Sequence, residues 1–372
     1  MPIIESVHSA REREVFIKFP WKIYGNDTPW VPPTIAQQKR ELDPKRGQFF
    51  KDSKAEFFVA REGREVVGRI AAIRNERHLK VHQDDVGFFG FFECINDDAV
   101  AGQLLSAAEH WLVEEHLSVS RGPADFSIFD PAGVTVFGHD VRPGFGMAYT
   151  PEYYSRLLEN NGYRKARDLH AYHLDRSQLN PKLLDLQKNM EAIDLSAVNV
   201  RFLELKDLEN ESMIFSRIFS AAWKDNWGSL PLDPEDFRHS AGELWAFLDP
   251  RLSYVAEVEA EPVGIFLAIP DPWEILQHTK GKMGIAALLK VFMRRKKIAH
   301  YRVIMMGILP EFQKGVVGPL IIKKFYEQWH HFPYMRTIEF SWVLEDNIPT
   351  LDLLQTCGAE RRQTFRIYDK FI

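Results

Sequence analysis

An internal repeat limits what this chain can fold into more than any other feature. Phe58-Val59-Ala60, with Val67-Gly68 and Ala72-Ile73, aligns without a gap onto Tyr254-Val255-Ala256, with Val263-Gly264 and Ala268-Ile269. The same offset carries Gly162-Tyr163 onto Gly358-Ala359. Between these anchors, Ala101-Gly102-Gln103-Leu104-Leu105 resembles Val317-Gly318-Pro319-Leu320-Ile321. Like segments returning at one spacing mark a duplicated structural unit. The spacing therefore predicts two copies of one α/β (α+β) fold, and 372 residues suffice for two domains that each bury a core.

In the first copy, residues 57–60 and 66–73 read as strands joined by the hairpin signal Arg61-Glu62-Gly63-Arg64. An aromatic strand at 86–95 follows, and Asp97-Asp98 caps a helix through 99–115. A helix at 152–160 stops at Gly162, and 166–174 reads as a closing strand. Pro29-Trp30-Val31-Pro32-Pro33 forces an extended arm. A polar connector helix at 177–197 separates an N-terminal domain, 1–176, from a C-terminal domain, 198–372. The second copy repeats the order: strand 198–205, helices 208–223 and 235–248, hairpin 253–269, strand 303–308, helix 318–329, strand 338–344, a helix from Asn347, and a final strand pair at 364–372. It also carries an insertion at 272–300, whose segment 280–297 holds basic and apolar residues and no acidic one. A basic amphipathic helix of this kind covers its own domain, or touches an anionic membrane surface or an acidic partner.

A net charge of −5 excludes a dedicated DNA binder. Cys94 and Cys357 lie far apart without metal-ligand spacing, which suits buried thiols in a reducing compartment. The histidines are read as offering no helical metal-ligand pair beyond the adjacent His330-His331, so no metal is expected. Arg11 to Glu14 precede any apolar run, and the best apolar segment, 284–293, is short and broken by Lys290. These features predict a cytoplasmic monomer or homodimer with no transmembrane segment.

Residues 303–308 form an apolar strand that leads through Leu309-Pro310-Glu311-Phe312-Gln313-Lys314-Gly315-Val316 into a helix. A glycine-containing turn at such a corner aims backbone N–H groups and the positive end of a helix dipole at one point, which favours a phosphate. With this turn, the order of elements resembles the GNAT superfamily of acyl-CoA-dependent N-acyltransferases. Trp30-Val31-Pro32-Pro33, Gly87-Phe88-Phe89-Gly90-Phe91-Phe92-Glu93 and Ser341-Trp342 with Glu345-Asp346-Asn347 look like a bacterial family of tandem GNAT-like proteins. The superfamily's turn signature is Gln or Arg, two residues, Gly, one residue, then Gly or Ala. Gln313 and Gly318 match it, whereas Val316 stands at the first Gly and Gly315 one residue early. A second signature, Asn ahead of a Gly-Phe pair, is approximated by Asn347 and Gly358-Ala359.

The resemblance implies two tandem domains, each a mixed, mostly antiparallel twisted sheet flanked by helices. It also implies acetyl-CoA or another acyl-CoA as co-substrate, held by Ile308, Leu309, Gln313, Lys314, Gly315, Val316, Val317, Gly318 and Asn347 of the second copy. The acceptor would be a small-molecule amine or an amino-acid-like compound. In the first copy, Ile95-Asn96-Asp97-Asp98-Ala99 replaces the turn, and its carboxylates repel a pyrophosphate, so no coenzyme is expected there.

Transfer to an amine needs a base and an acid. Glu339, set between Ile338 and Phe340 in an apolar strand, is the leading base, its pKa raised by burial; the alternative is a solvated or salt-bridged face. Glu93 is a second candidate base, with a structural carboxylate as the alternative. The position where many members carry an acid Tyr is Leu354, which leaves Tyr326 or Tyr368 as stand-ins. A binder without turnover and a Fem-type aminoacyl transferase, which takes its acyl group from a charged tRNA, are the rival expectations.

Overall fold

The computed structural model describes residues 2–25, 29–178, 197–244, 248–279, 281, 293–294 and 297–372. Most of the connector expected at 177–197 and of the basic segment 280–297 lies outside the described residues.

Among the described residues there are strands β1 (Ile3–Ser6), β2 (Lys54–Glu62), β3 (Glu65–Arg74), β4 (Val86–Cys94), β5 (Val119–Gly122), β6 (Val134–Phe137) and β7 (Arg164–Asp175) in the first half. The second half adds β8 (Val198–Phe202), β9 (Ser253–Val258), β10 (Glu261–Pro270), β11 (His300–Ile308), β12 (Thr337–Leu344) and β13 (Glu360–Phe371). They make one sheet in the order β1-β2-β3-β4-β5-β13-β7-β12-β11-β10-β9-β8, with β6 paired to β13. β1 to β4 run antiparallel and β4 pairs parallel with β5. β8 to β11 repeat that meander and β11 pairs parallel with β12. A parallel pair needs a crossover. The helices Asp98–Glu114 and Val317–Trp329 supply it in the two halves. The duplication expected from the repeat is thus present as two mixed, mostly antiparallel half-sheets flanked by helices.

The halves exchange their last strands. β7 pairs with β12 of the second half, and β13 pairs with β5 of the first. β7 and β13 then pair with each other along their length and seal the junction. β7 carries Tyr172 and Leu174 into the second half's core, while β13 carries Phe365, Ile367 and Tyr368 into the cores of the first. Each such burial contributes roughly 1.5–3 kcal/mol. Each half-sheet is completed by a strand from the other.

Both parallel pairs part early. β4 and β5 pair from Val86↔Val119 to Phe88↔Arg121, and β11 and β12 from His300↔Thr337 to Val303↔Phe340. Just beyond, the register slips at Arg69/Ala71 in the first half and at Leu267/Ala268 in the second. A bulge kinks its strand and raises the local twist. Each half therefore has a wedge where two parallel strands stop pairing above the crossover helix, although in the first half the chain after β5 stays against β4, Ala124 N–H donating to the Phe89 carbonyl at 2.8 Å.

Candidate functional site

The wedge in the second half is lined by half-buried apolar side chains. β11 is a central strand, yet Ile304, Met305, Met306 and Ile308 are only half-buried, because no strand covers them past the last rung. Gly307 lets the ring of Trp223 lie against the strand; a Cβ there would come within 2.2 Å of that ring. Trp223 stacks on Phe219 at 4.4 Å. Phe129, from the first half, lies 5.7 Å from Phe219 and stacks on Trp342 at 5.9 Å. The cleft thus has a floor of methionine and isoleucine and a wall of aromatic rings from both halves, surfaces that suit an alkyl chain.

At the end of β11 the expected turn forms as one unit. Gln313 Nε2 donates to the Ile308 carbonyl at 3.1 Å and ties the turn back to the strand. Lys314 and Gly315 are exposed, and Val317 and Gly318 begin the helix Val317–Trp329. No side chain caps that helix, so its first N–H groups and its dipole face the turn. Val316 adopts ordinary right-handed backbone, φ −84°, so this turn does not need the glycine whose place it takes. A Cβ on Gly315 would meet only the Phe312 carbonyl oxygen, at 3.5 Å, which leaves room for a phosphate. Asn347 caps the next helix, Ile348–Thr356, by accepting the Thr350 N–H at 3.3 Å. Leu354 is buried in the core.

The matching place in the first half is filled by its own side chains. Asp97 accepts the N–H groups of Ala99 and Val100 at 2.8 and 3.1 Å, taking the helix end that a phosphate would use. Asp125 enters the wedge and accepts the Phe91 N–H at 2.6 Å, next to the bulge. Glu93 is buried there too, accepting the hydroxyls of Tyr24 and Tyr154 at 2.8 and 2.7 Å, with Arg69 3.9 Å away. Burial raises its carboxyl to about 7, against the pull of Arg69.

Glu339 is buried as the sequence predicts, but its proton affinity moves the other way. Although burial alone would raise its pKa, His173, Arg302 and the Ser341 hydroxyl bring it down to about 2. His173 Nε2 lies 3.2 Å from Glu339 Oε2, without the alignment of a full hydrogen bond. These partners favour the ionised form of Glu339, against the rise that burial alone predicts. It borders a polar pocket of about 180 Å³ with His173, Arg142, Asp271, His300 and Arg302. The pocket's roof is a loop of the first half, held by Arg142 on Asp271 at 2.8 Å and by Arg302 on the Phe145 carbonyl. Gly144 lets this loop approach: a Cβ there would come within 2.5 Å of the Glu339 carboxylate.

Tyr326 stands apart from this group. It is half-buried late in the Val317–Trp329 helix, its ring 4.9 Å from that of His330, and roughly 13 Å along the axis from the turn. Tyr368 is buried in the first half's core and bonds Glu159 at 3.1 Å. Sequence reasoning missed His173, whose role depends on strand exchange. It also passed over His78 and His82, four apart on the helix Glu76–His82. Their ring nitrogens meet Asp84 at 3.0 Å and the Ser229 carbonyl at 2.8 Å.

No protein-family model matches the chain. Over 371 residues it is 29% identical to the bacterial ceramide synthase of Caulobacter vibrioides, covering 98% of this chain and 96% of that one. It is 28% identical over 379 residues to protein YghO of Escherichia coli K12, covering 100% and 95%. Among solved structures, a tandem GNAT protein from the clavulanic acid biosynthesis pathway superposes with a TM-score of 0.56 at 13% identity, covering 99% of this chain and 98% of that one. Two wedge-bearing half-sheets in one chain, matched end to end by that structure, give this protein the tandem GNAT fold.

Proposed function

We propose that this protein is an acyl-CoA-dependent N-acyltransferase whose second half holds the acyl-CoA and whose acyl group is a long chain. The observation that carries this is the second half's wedge: half-exposed apolar residues of a central strand run to a helix end that no side chain caps. A pyrophosphate would rest on the N–H groups of 314–318 with Lys314 beside it, and an apolar chain would follow Ile304 to Ile308 beneath the aromatic wall. Bound there, the acyl-CoA would supply a thioester carbonyl at the apex of the wedge. Two half-sheets whose matching wedges differ, one lined by apolar side chains and one filled, support a division between a working copy and a supporting one. Kinship with a protein named a ceramide synthase supports a fatty acyl group and a lipophilic amine, because a ceramide is the fatty amide of a long-chain amino alcohol.

A binder without turnover is favoured by one observation: Leu354, at the place of the family's acid Tyr, is sealed in the core. The two are separated by incubating the full chain with palmitoyl-CoA, with and without sphinganine, and measuring free thiol and amide. Thiol release that requires the amine and matches the amide formed is the expected result. Binding of palmitoyl-CoA with no release in the presence of any amine would leave only the binder.

A further inference from the structure

The polar pocket under the first-half loop lies outside the proposed acyl-CoA cleft, and both halves build it. His173 on β7, Arg142 and Gly144 come from the first half; Asp271, Arg302 and Glu339 come from the second. It lies one rung from the parting of the strands, since Arg302↔Glu339 is followed by Val303↔Phe340, the last rung before they separate. We propose that this pocket receives the ammonium head of the acceptor amine, with His173 as its proton acceptor and Glu339 as the residue that positions His173. The proposal rests on the N-acyltransfer function above and assigns its acceptor side.

Three features support it. The first is charge. Asp271 is matched by Arg142 at 2.8 Å, while Arg302 directs its donors to Ser341, the Phe145 carbonyl and Met147. Glu339 accepts from the Ser341 hydroxyl and faces the Nε2 of His173, and the Arg302 guanidinium favours its charge from nearby without bonding it. A buried anion without a bonded fixed cation is a place for a cationic ligand.

The second is the orientation of the imidazole. A proton on Nε2, the nitrogen 3.2 Å from Glu339 Oε2, would leave Nδ1 to accept another, and the side chain is 22% exposed, so the pocket reaches solvent. Glu339, whose ionised form its partners favour, is placed to hold the imidazole, and histidine is the commonest side-chain general base.

The third is size. About 180 Å³ is below the roughly 300–1,000 Å³ of pockets that hold drug-sized ligands. The pocket takes a head group, and a long tail must lie outside it.

The step balances with these groups alone. The ammonium gives one proton to Nδ1 of His173, and the neutral nitrogen attacks the thioester carbonyl carbon. The C–N bond forms and the C–S bond breaks. The second N–H proton leaves with the sulfur as free thiol, and His173 returns its proton to solvent. The net products are amide, thiol and one proton.

His173 is faced by Glu339 from β12, by Arg302 and His300 from β11, and by Arg142 and Asp271 at the pocket's mouth. Asp175 and Arg362 line the adjoining recess, and Glu360 is its cross-strand partner on β13. Among these, the Glu339 carboxylate lies nearest, its Oε2 3.2 Å from the Nε2 of His173.

The test uses the full chain with palmitoyl-CoA and sphinganine. His173→Gln is expected to lower kcat at pH 7 by ~100-fold or more, the lower end of what a positioned base contributes. The deficit should shrink at high pH, where the amine sheds its own proton, while palmitoyl-CoA affinity stays within about two-fold because the cleft is untouched. Glu339→Gln is expected to raise KM for the amine, since the head group loses its anion, and to lower kcat less than His173→Gln does, since the imidazole loses only the residue that positions it. A folded His173→Gln with wild-type kcat and pH profile would overturn the proposal and leave N-acyltransfer standing. Should His173→Gln not fold, a Glu339→Gln variant with wild-type kcat and wild-type KM for the amine would overturn it equally. A wild-type chain that releases no thiol with sphinganine or any other amine removes the reaction itself, and the proposal with it.

Discussion

Glu339 and Glu93 show at the scale of single residues how surroundings, more than residue type, set a carboxylate's behaviour. Both are buried strand residues. Glu339 faces an imidazole, a guanidinium and a hydroxyl and is held at about 2; Glu93 has two tyrosine hydroxyls and a more distant Arg69 and is pushed to about 7. The sequence marks each as a polar residue in an apolar strand but cannot tell the two directions apart, because the deciding partners come from distant segments. Glu93 predicts a pH-dependent stability. Its folded pKa is raised, so the stability it contributes is complete below its ordinary 4.5 and is lost as pH rises through about 7. The slope for this one group is at most about 1.4 kcal/mol per pH unit. Asp125 and Asp130, raised to about 6 and about 7, act in the same sense, whereas His78, lowered to about 4, acts in the opposite one. The comparison of Tm against pH for the wild type and Glu93→Gln isolates the first term. The variant should lose the least stability between pH 5 and 8, and parallel curves would contradict the account.

At the scale of elements, the two crossover helices differ at their first turn. Asp97 closes one helix end with its own carboxylate, while the other, after Val316, is left without a side-chain cap. This contrast was legible in the sequence, since Asp97-Asp98 and Gly315 with Gly318 stand at equivalent corners of the repeat. The hairpins were legible too, although β2 runs over Lys54–Glu62, well beyond the apolar 57–60 that marks it, because its edges carry charged residues exposed to solvent. What was not legible is that the turn at Val316 needs no glycine conformation, since that follows from its right-handed backbone alone. Giving the second turn the first turn's chemistry is a direct check. Gly315→Asp sets a carboxylate among the N–H groups and is expected to weaken palmitoyl-CoA binding by at least about ten-fold, or ~1.4 kcal/mol. Gly315 is exposed and has no positive φ, so Tm should stay close to the wild type. Unchanged affinity by titration would place the coenzyme elsewhere.

For the whole molecule, the exchange of β7 and β13 is the property that the repeat predicts least well. The sequence marks a closing strand in the first copy and a strand pair at 364–372 in the second, where the structure has the single strand β13; which sheet a closing strand joins is not written in it, and only the assembled chain shows that each completes the other half. The exchange brings His173 to Glu339 and sets the first-half loop over the second half's pocket. It also predicts that the halves are not independent. Residues 1–176 alone lack Phe365, Ile367 and Tyr368 from their cores and should show no cooperative thermal transition, while co-expression with 198–372 should restore one. A sharp transition for 1–176 alone would show that its sheet closes without β13. The central claim is that the second wedge, and not the first, is the acyl-CoA site. Hydrogen–deuterium exchange of the full chain with and without palmitoyl-CoA addresses it most directly. The account predicts slowed exchange across 304–308 and 314–318 with none at 95–100; protection at 95–100, or binding that protects neither turn, would contradict it.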